Sequence, residues 1–229
     1  MKSLINKTLS LILALNLFIL TLFVALVPPA LNSSFYHDQF VINNSYERAN
    51  TTPQALNDLI DHTLDYTYGV IDNFQYSLTL NDGSTRLAFS QREIDHMLDV
   101  QNLFVGGRIL TGVSLIMLIL IGAYFLTNPK AFKRSYFKLM RNTIVLILLT
   151  AALILGLAAL DFNRAFTIFH QIFFTNDLWI LSSTDMLIIM LPEVLFFRLA
   201  VRIFTGLIAY LAIIVGGLHY FGNRKVKRT

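Results

Sequence analysis

Two histidines in this chain have the surroundings that acid–base chemistry needs. His96 and His170 lie in separate polar stretches, each where the sequence turns strongly apolar. Carboxylates stand close by: Asp95 and Asp99 beside His96, Asp177 beyond His170. An imidazole with an ordinary pKa of ~6.5 can take and give protons near neutrality. The competing reading is two unrelated histidines that only hydrogen-bond lipid headgroups. Other chemistries find less support. HExxH spacing is absent, so Asp95, His96, Asp99 and His170 would form a metal site only if the fold gathered them. The chain has no Cys, no GxSxG and no SxxK, so a thiolate is excluded and a serine nucleophile lacks its usual motifs. Ser182-Ser183-Thr184-Asp185 offers hydroxyls, but small polar residues beside Asp most often make a turn or a helix cap. Gly106-Gly107 lacks phosphate-loop context and reads as close helix packing.

The stretch around His170 is unusual in itself. From Arg164 to Phe197 it mixes His170, Asn176, Asp177, Trp179, Asp185 and Glu193 with phenylalanines and leucines. A plain membrane span would not hold so many polar groups, nor a soluble loop so many Phe and Leu. The mixture suits a segment in the membrane interface, where Trp and other amphipathic rings prefer to sit. This segment is read as half of an active site.

Composition sets the frame. The 229 residues are 55% hydrophobic and 14% charged, with a mean hydropathy of +0.60. A span needs about 20 apolar residues, and Thr8–Val27, Leu103–Leu126, Asn142–Leu160 and Leu199–Phe221 qualify. The net charge of +4 is no nucleic-acid signal, because the two signs separate by segment. Lys2, Lys7, Lys130, Lys133, Arg134, Lys138, Arg141 and the tail Arg224, Lys225, Lys227 and Arg228 carry no neighbouring acid. All 14 Asp and Glu fall in Pro28–Asn102 and Asp161–Arg198. The positive-inside rule then puts both termini in the cytoplasm and those two acidic segments outside. The first span reads as an uncleaved signal anchor, since Pro28-Pro29-Ala30 is a poor cleavage site. The expected fold class is an all-α membrane protein: four transmembrane helices with a small mixed α/β extracytoplasmic cap. The expected divisions are 1–30, an N-terminal transmembrane helix; 31–102, the cap; 103–160, two transmembrane helices with a basic cytoplasmic loop; 161–198, the interfacial active-site segment; and 199–229, a last transmembrane helix with a basic tail.

Local signals fill in the cap. Thr52-Pro53 is an N-cap followed by Pro at the first helical position, and Leu56, Leu59, Ile60 and Leu64 recur at helical spacing. A helix from Pro53 to about Tyr68 follows. Phe74, Tyr76, Leu78 and Leu80 alternate with polar residues before the turn Asn81-Asp82-Gly83-Ser84, which predicts a hairpin. About 70 residues make a weak core alone, so the cap is expected to rest on the span ends. Ser90-Gln91-Arg92-Glu93 is a capping box opening a helix that runs into the second span. On that helix Arg92, His96, Asp99 and Leu103 share one face. Arg108, within the second span, and Arg198 and Arg202, near the outer end of the fourth, run against the inside bias for cations. Charges there usually pair or serve function. The third span reads as a wall of the bundle.

SQREIDHMLDVQNLF, then FHQIFFTNDLW, then TDMLIIMLPEVLFF resemble the bacterial four-span membrane proteins of the lipoprotein intramolecular transacylase (Lit) family. The match covers most of the chain, with the same four-span plan and motif order. The resemblance implies a substrate whose N-terminal Cys carries diacylglycerol through a thioether. The fatty acyl ester at the central (sn-2) glycerol carbon passes to the Cys α-amine, giving a lyso-form lipoprotein. It implies His96 and His170 as the two essential histidines, and no cofactor. The chemistry agrees. Amine and ester belong to one substrate molecule, so holding them together supplies proximity. The enzyme must deprotonate the amine and protonate the leaving oxygen, or stabilise the developing oxyanion. His170 is assigned as base and His96 as donor, with the reverse division left open. Asp99 would orient His96. Asn176 and Asp185, with Trp179 in the same segment, would support the site or meet the substrate amine. Arg108, Arg198 and Arg202 would anchor substrate or pair with acids. The expected partners are the diacylglyceryl lipoprotein and membrane lipids, with the chain a monomer. The alternatives are a non-enzymatic scaffold, a metal-dependent membrane hydrolase and, less well supported, a channel or transporter.

Overall fold

The computed structural model describes residues 2–128 and 134–223. Lys130, Lys133 and the basic tail lie outside the described residues. Four helices are long and apolar enough to cross a membrane. They are α1 (Lys2–Ala30), α5 (Gln91–Thr127), α6 (Arg134–Leu160) and α9 (Glu193–Asn223). Between them come α2 (Ser33–Ile42), α3 (Ser45–Ala49), α4 (Pro53–Tyr68), α7 (Phe162–Phe173) and α8 (Met186–Met190), with one hairpin, β1 (Ser77–Thr79) and β2 (Thr85–Leu87). The chain is a mainly helical, multi-pass membrane protein with one two-stranded sheet.

Two compact units form. The first comprises Met1–Val27, Arg108–Leu160 and Arg202–Thr229. Its core is Leu13, Ala14, Ala25, Ile121, Phe125, Met140, Ile144, Leu207 and Leu211. Polar residues on α1 satisfy themselves one turn back: Ser10 donates to the Asn6 carbonyl, Asn16 to Ile12 and Thr21 to Leu17. Such back-bonding removes the cost of a lone hydroxyl or amide in an apolar setting. Large apolar side chains such as Ile116, Ile119, Leu146, Leu153 and Ile213 stay exposed, as lipid contact requires. On α6 only Tyr136, Met140 and Ile144 are buried, one stripe at four-residue spacing. That is how a wall helix packs. α6 starts at Arg134, earlier than the expected Asn142. Arg141 lies on the helix and donates to Nδ1 of His219 at 3.1 Å, a case of a long cationic side chain carried on an apolar helix.

The second unit comprises Pro28–Gly107 and Asp161–Val201. α4 begins and ends where its sequence signals place it: Thr52 caps Ala55 N at 3.2 Å, and Gly69 closes the helix at φ 77°. The hairpin pairs Ser77 with Leu87, Leu78 with Arg86 and Thr79 with Thr85. Gly83 supplies the positive φ of the turn. Phe35, Phe40, Leu56, Leu59, Ile60, Phe74 and Leu78 are fully buried, and Phe74 stacks on Phe89 at 4.1 Å. This core does not stand alone within 31–102. Ser45 Oγ donates to the Ile189 carbonyl at 2.8 Å, so α3 docks on α8 and the second acidic segment completes the unit. α2 and α3 fill a region in which the sequence shows little pattern.

Candidate active site

Each histidine sits on a helix whose end is fixed by local chemistry. At the start of α5, Ser90 N donates to Glu93 Oε2 at 2.7 Å and Glu93 N to Ser90 Oγ at 3.4 Å, the reciprocal capping box. Glu93 is only 2% exposed, and its Oε1 accepts Leu187 N of α8 at 2.8 Å. One carboxylate therefore caps α5 and ties it to a segment 94 residues away. His96 follows one turn later. α7 is capped by Asp161, whose side chain accepts Arg164 N at 3.0 Å. Its last turn carries His170. Ile168, Phe169, Ile172 and Phe173 stay exposed on α7, which gives it the amphipathic face of an interfacial helix.

The two imidazoles meet. Their ring centroids are 6.0 Å apart with planes at 35°, and both are buried, His96 at 8% and His170 at 7% exposure. His170 Nδ1 donates to the Phe166 carbonyl at 2.7 Å. That bond fixes the tautomer and leaves Nε2 as an acceptor. Burial holds the His170 pKa below the ordinary imidazole value, partly opposed by the Phe166 bond, which favours the protonated ring. His96 Nδ1 is buried and finds no hydrogen-bond partner among the described residues. Unpaired buried polar atoms are uncommon and call for an explanation. Aromatic rings line the pair. Phe174 lies edge-on to His96 at 5.2 Å and 5.6 Å from His170; Phe166 is 4.3 Å from His170, and Trp179 stacks on His170 at 4.9 Å.

The other sequence candidates divide. Asn176 Nδ2 donates to Asp99 Oδ2 at 2.8 Å, so Asp99 holds the loop bearing Trp179, while His96 Nδ1 receives no bond from it. Asp185 accepts Ser182 N at 2.7 Å, a turn before α8, and Ser182 Oγ pairs with Thr184 Oγ1 at 3.0 Å. That is the turn-and-cap role of small polar residues, with no histidine among the bonded partners. Arg198 donates to buried Gln39 Oε1 at 2.5 Å and links α9 to α2. Arg108 and Arg202 occupy exposed positions of α5 and α9 in the first unit. Asp177 offers its backbone carbonyl to Arg92. Among the described residues no three His, Asp or Glu side chains gather as a metal site would require, and Asp95 accepts Gln91 Nε2 at 2.8 Å. Sequence reasoning missed Phe166, Phe174 and the second role of Glu93. A signal existed for Phe166, which stands four residues before His170 on a helix; none existed for Glu93 meeting Leu187.

Comparison with known proteins bears on the family and the fold. The sequence model of the family described as lipoprotein intramolecular transacylase Lit matches residues 9–197. No curated protein sequence matches. Among solved structures, the membrane-integral lipoprotein intramolecular transacylase Lit of Bacillus cereus is similar, at a TM-score of 0.76 and 19% identity, over 94% of this chain and 95% of that one. Two variants of that protein with one histidine replaced also match at TM-score 0.71 and 20% identity. The arginine variant aligns over 94% of this chain and 91% of its own, the alanine variant over 94% and 93%. At these identities the likeness carries the fold, and the family match, spanning most of the sequence, carries the rest. This chain belongs to the lipoprotein intramolecular transacylase family of membrane-integral acyltransferases.

Proposed function

We propose that this protein moves the sn-2 acyl chain of a diacylglyceryl-cysteine lipoprotein onto the cysteine α-amine, with His170 and His96 as the proton-handling pair. The observation that carries the division of roles is the unequal bonding of the two rings. His170 donates through Nδ1 to Phe166, so its Nε2 is the free base. His96 holds a buried Nδ1 with no partner among the described residues, suited to a substrate oxygen. The amine attacks the ester carbonyl as His170 Nε2 takes its proton. His96 donates a hydrogen bond to the developing oxyanion; an N–C bond forms, the C–O bond to glycerol breaks, and the protonated His170 returns its proton to the leaving alkoxide. Both reacting groups arrive on one molecule, so no acyl-enzyme and no cofactor is required.

The charge pattern supports a site on the outer face of a bacterial plasma membrane, with both termini in the cytoplasm. The exposed apolar face of α7 supports entry of substrate from the lipid. A monomer suffices, because both histidines come from one chain. The test is mass spectrometry of a lipoprotein's N-terminal peptide, co-expressed with wild type, His96→Ala or His170→Ala in a bacterium lacking this activity. Wild type is expected to yield the N-acylated lyso form and each variant the unchanged diacylglyceryl form. An unchanged lipoprotein with well-expressed wild type would overturn the reading.

A further inference from the structure

The loop from Asn176 to Ile180 is held from outside itself by two side chains of α5. Arg92 Nε donates to the Ile180 carbonyl at 3.1 Å, and its Nη2 donates to the Asp177 carbonyl. Asp99 Oδ2 accepts Asn176 Nδ2 at 2.8 Å. Arg92 and Asp99 lie four residues before and three after His96, so both clamps share its helix face. Within the loop, Asn176 Oδ1 accepts Leu178 N at 3.0 Å and Ile180 N donates to the Asp177 carbonyl at 3.1 Å. Trp179 thus arrives stacked on His170, with centroids 4.9 Å apart and planes at 29°.

We infer that this clamped loop determines whether the acyl group goes to the amine or to water, with Arg92 and Asp99 as positioning residues and Trp179 as the cover. The inference rests on the transacylase reading above. A base that deprotonates an amine can equally deprotonate water. Water adding to the same ester carbonyl breaks the same C–O bond. The glycerol oxygen gains a proton, the fatty acid leaves as a carboxylate, and the lipoprotein keeps a free α-amine. Excluding water from a site is the general means of suppressing this side reaction. Here the indole covers one face of His170, and the clamps on either side of His96 keep it there.

Two readouts test this in the purified full-length protein. Trp179 is the only tryptophan, so acrylamide quenching of intrinsic fluorescence reports the loop directly. Arg92→Ala and Asp99→Ala, which break separate clamps, are expected to raise quenching, and Arg92→Lys to restore part of the protection. With a diacylglyceryl lipopeptide, mass spectrometry counts N-acylated product against free fatty acid. The ratio of fatty acid to N-acyl product is expected to rise about tenfold or more in Arg92→Ala, Asp99→Ala and Trp179→Ala. A variant that merely folds poorly would lose both products together. Lost transfer at an unchanged ratio, or unchanged quenching, would overturn the inference. Wild type that makes no N-acyl product would instead sink the transacylase reading and the partition claim with it, while quenching would still decide whether Arg92 and Asp99 hold the loop.

Discussion

At the scale of single residues, the Phe166 carbonyl and burial act on His170 in opposite directions, and burial dominates. The ring is therefore neutral, and ready as a base, to a lower pH than a free imidazole. The sign for stability follows. A histidine whose pKa is depressed on folding binds fewer protons in the native than in the unfolded state, so its stabilising contribution is lost as pH falls from the ordinary imidazole value. For turnover a second proton matters first, because the substrate α-amine, with a pKa of ~7.7–8.0, must be neutral to attack. Log kcat/KM is expected to fall with a slope of about one below pH ~8, steepening toward two only beneath the ordinary imidazole pKa. A slope of two already at neutrality would place His170 at or above its ordinary value and contradict the effect of burial. His170→Asn should remove the steeper limb together with nearly all activity, leaving only the slope of the amine.

Elements, rather than residues, explain why a buried carboxylate sits at the start of α5. Glu93 accepts two backbone amides, Ser90 N and Leu187 N, and so joins the His96 helix to α8. Hydrogen bonds to charged groups are worth about 1.5–3 kcal/mol each, and a glutamine can accept only one of these two. Glu93→Gln is expected to cost about 2 kcal/mol, which lowers the melting temperature in detergent by roughly 4–8 °C for a chain of this size. An unchanged melting temperature would remove Glu93 from the set of structural ties. The same residue shows what sequence can and cannot convey. Its capping box is local, four residues long, and legible, as are the caps of α4, the hairpin turn at Gly83 and the shared face of Arg92, His96 and Asp99. Its bond to Leu187 joins positions 94 apart and leaves no periodic trace. α7 was within reach, because Asp161 precedes a run with Ile168, Phe169, Ile172 and Phe173 at helical spacing. α2 and α3 were not, because their burial is set by partners elsewhere, as Ser45 with Ile189 shows. Asp99 illustrates a different limit. Proximity in sequence pointed it at His96, while the bond that its carboxylate accepts from Asn176 joins positions 77 apart and leaves no trace in the sequence.

For the whole molecule, the asymmetry of charge is the one global statement the sequence makes, and it can be tested without touching the site. Fourteen acids lie in two segments and the basic clusters in the others, so one orientation is favoured throughout rather than by a single helix. Among the described residues four helices are long and apolar enough to cross a membrane, and four crossings would bring both termini to one side. The chain has no Cys, so any cysteine introduced is the only one present. Ser84, exposed in the hairpin turn, belongs to an acidic segment; Lys227 belongs to the basic tail. In intact bacteria, Ser84→Cys is expected to react with a membrane-impermeant maleimide, and Lys227→Cys only after the membrane is opened. Labelling of Lys227→Cys in sealed cells would invert the orientation and put the histidine pair on the cytoplasmic face. A lipoprotein anchored in the outer leaflet could not then meet it, so this result would also remove the substrate from reach. The orientation thus bears on the proposed chemistry as directly as a substitution at either histidine, and it does so through residues outside the catalytic pair.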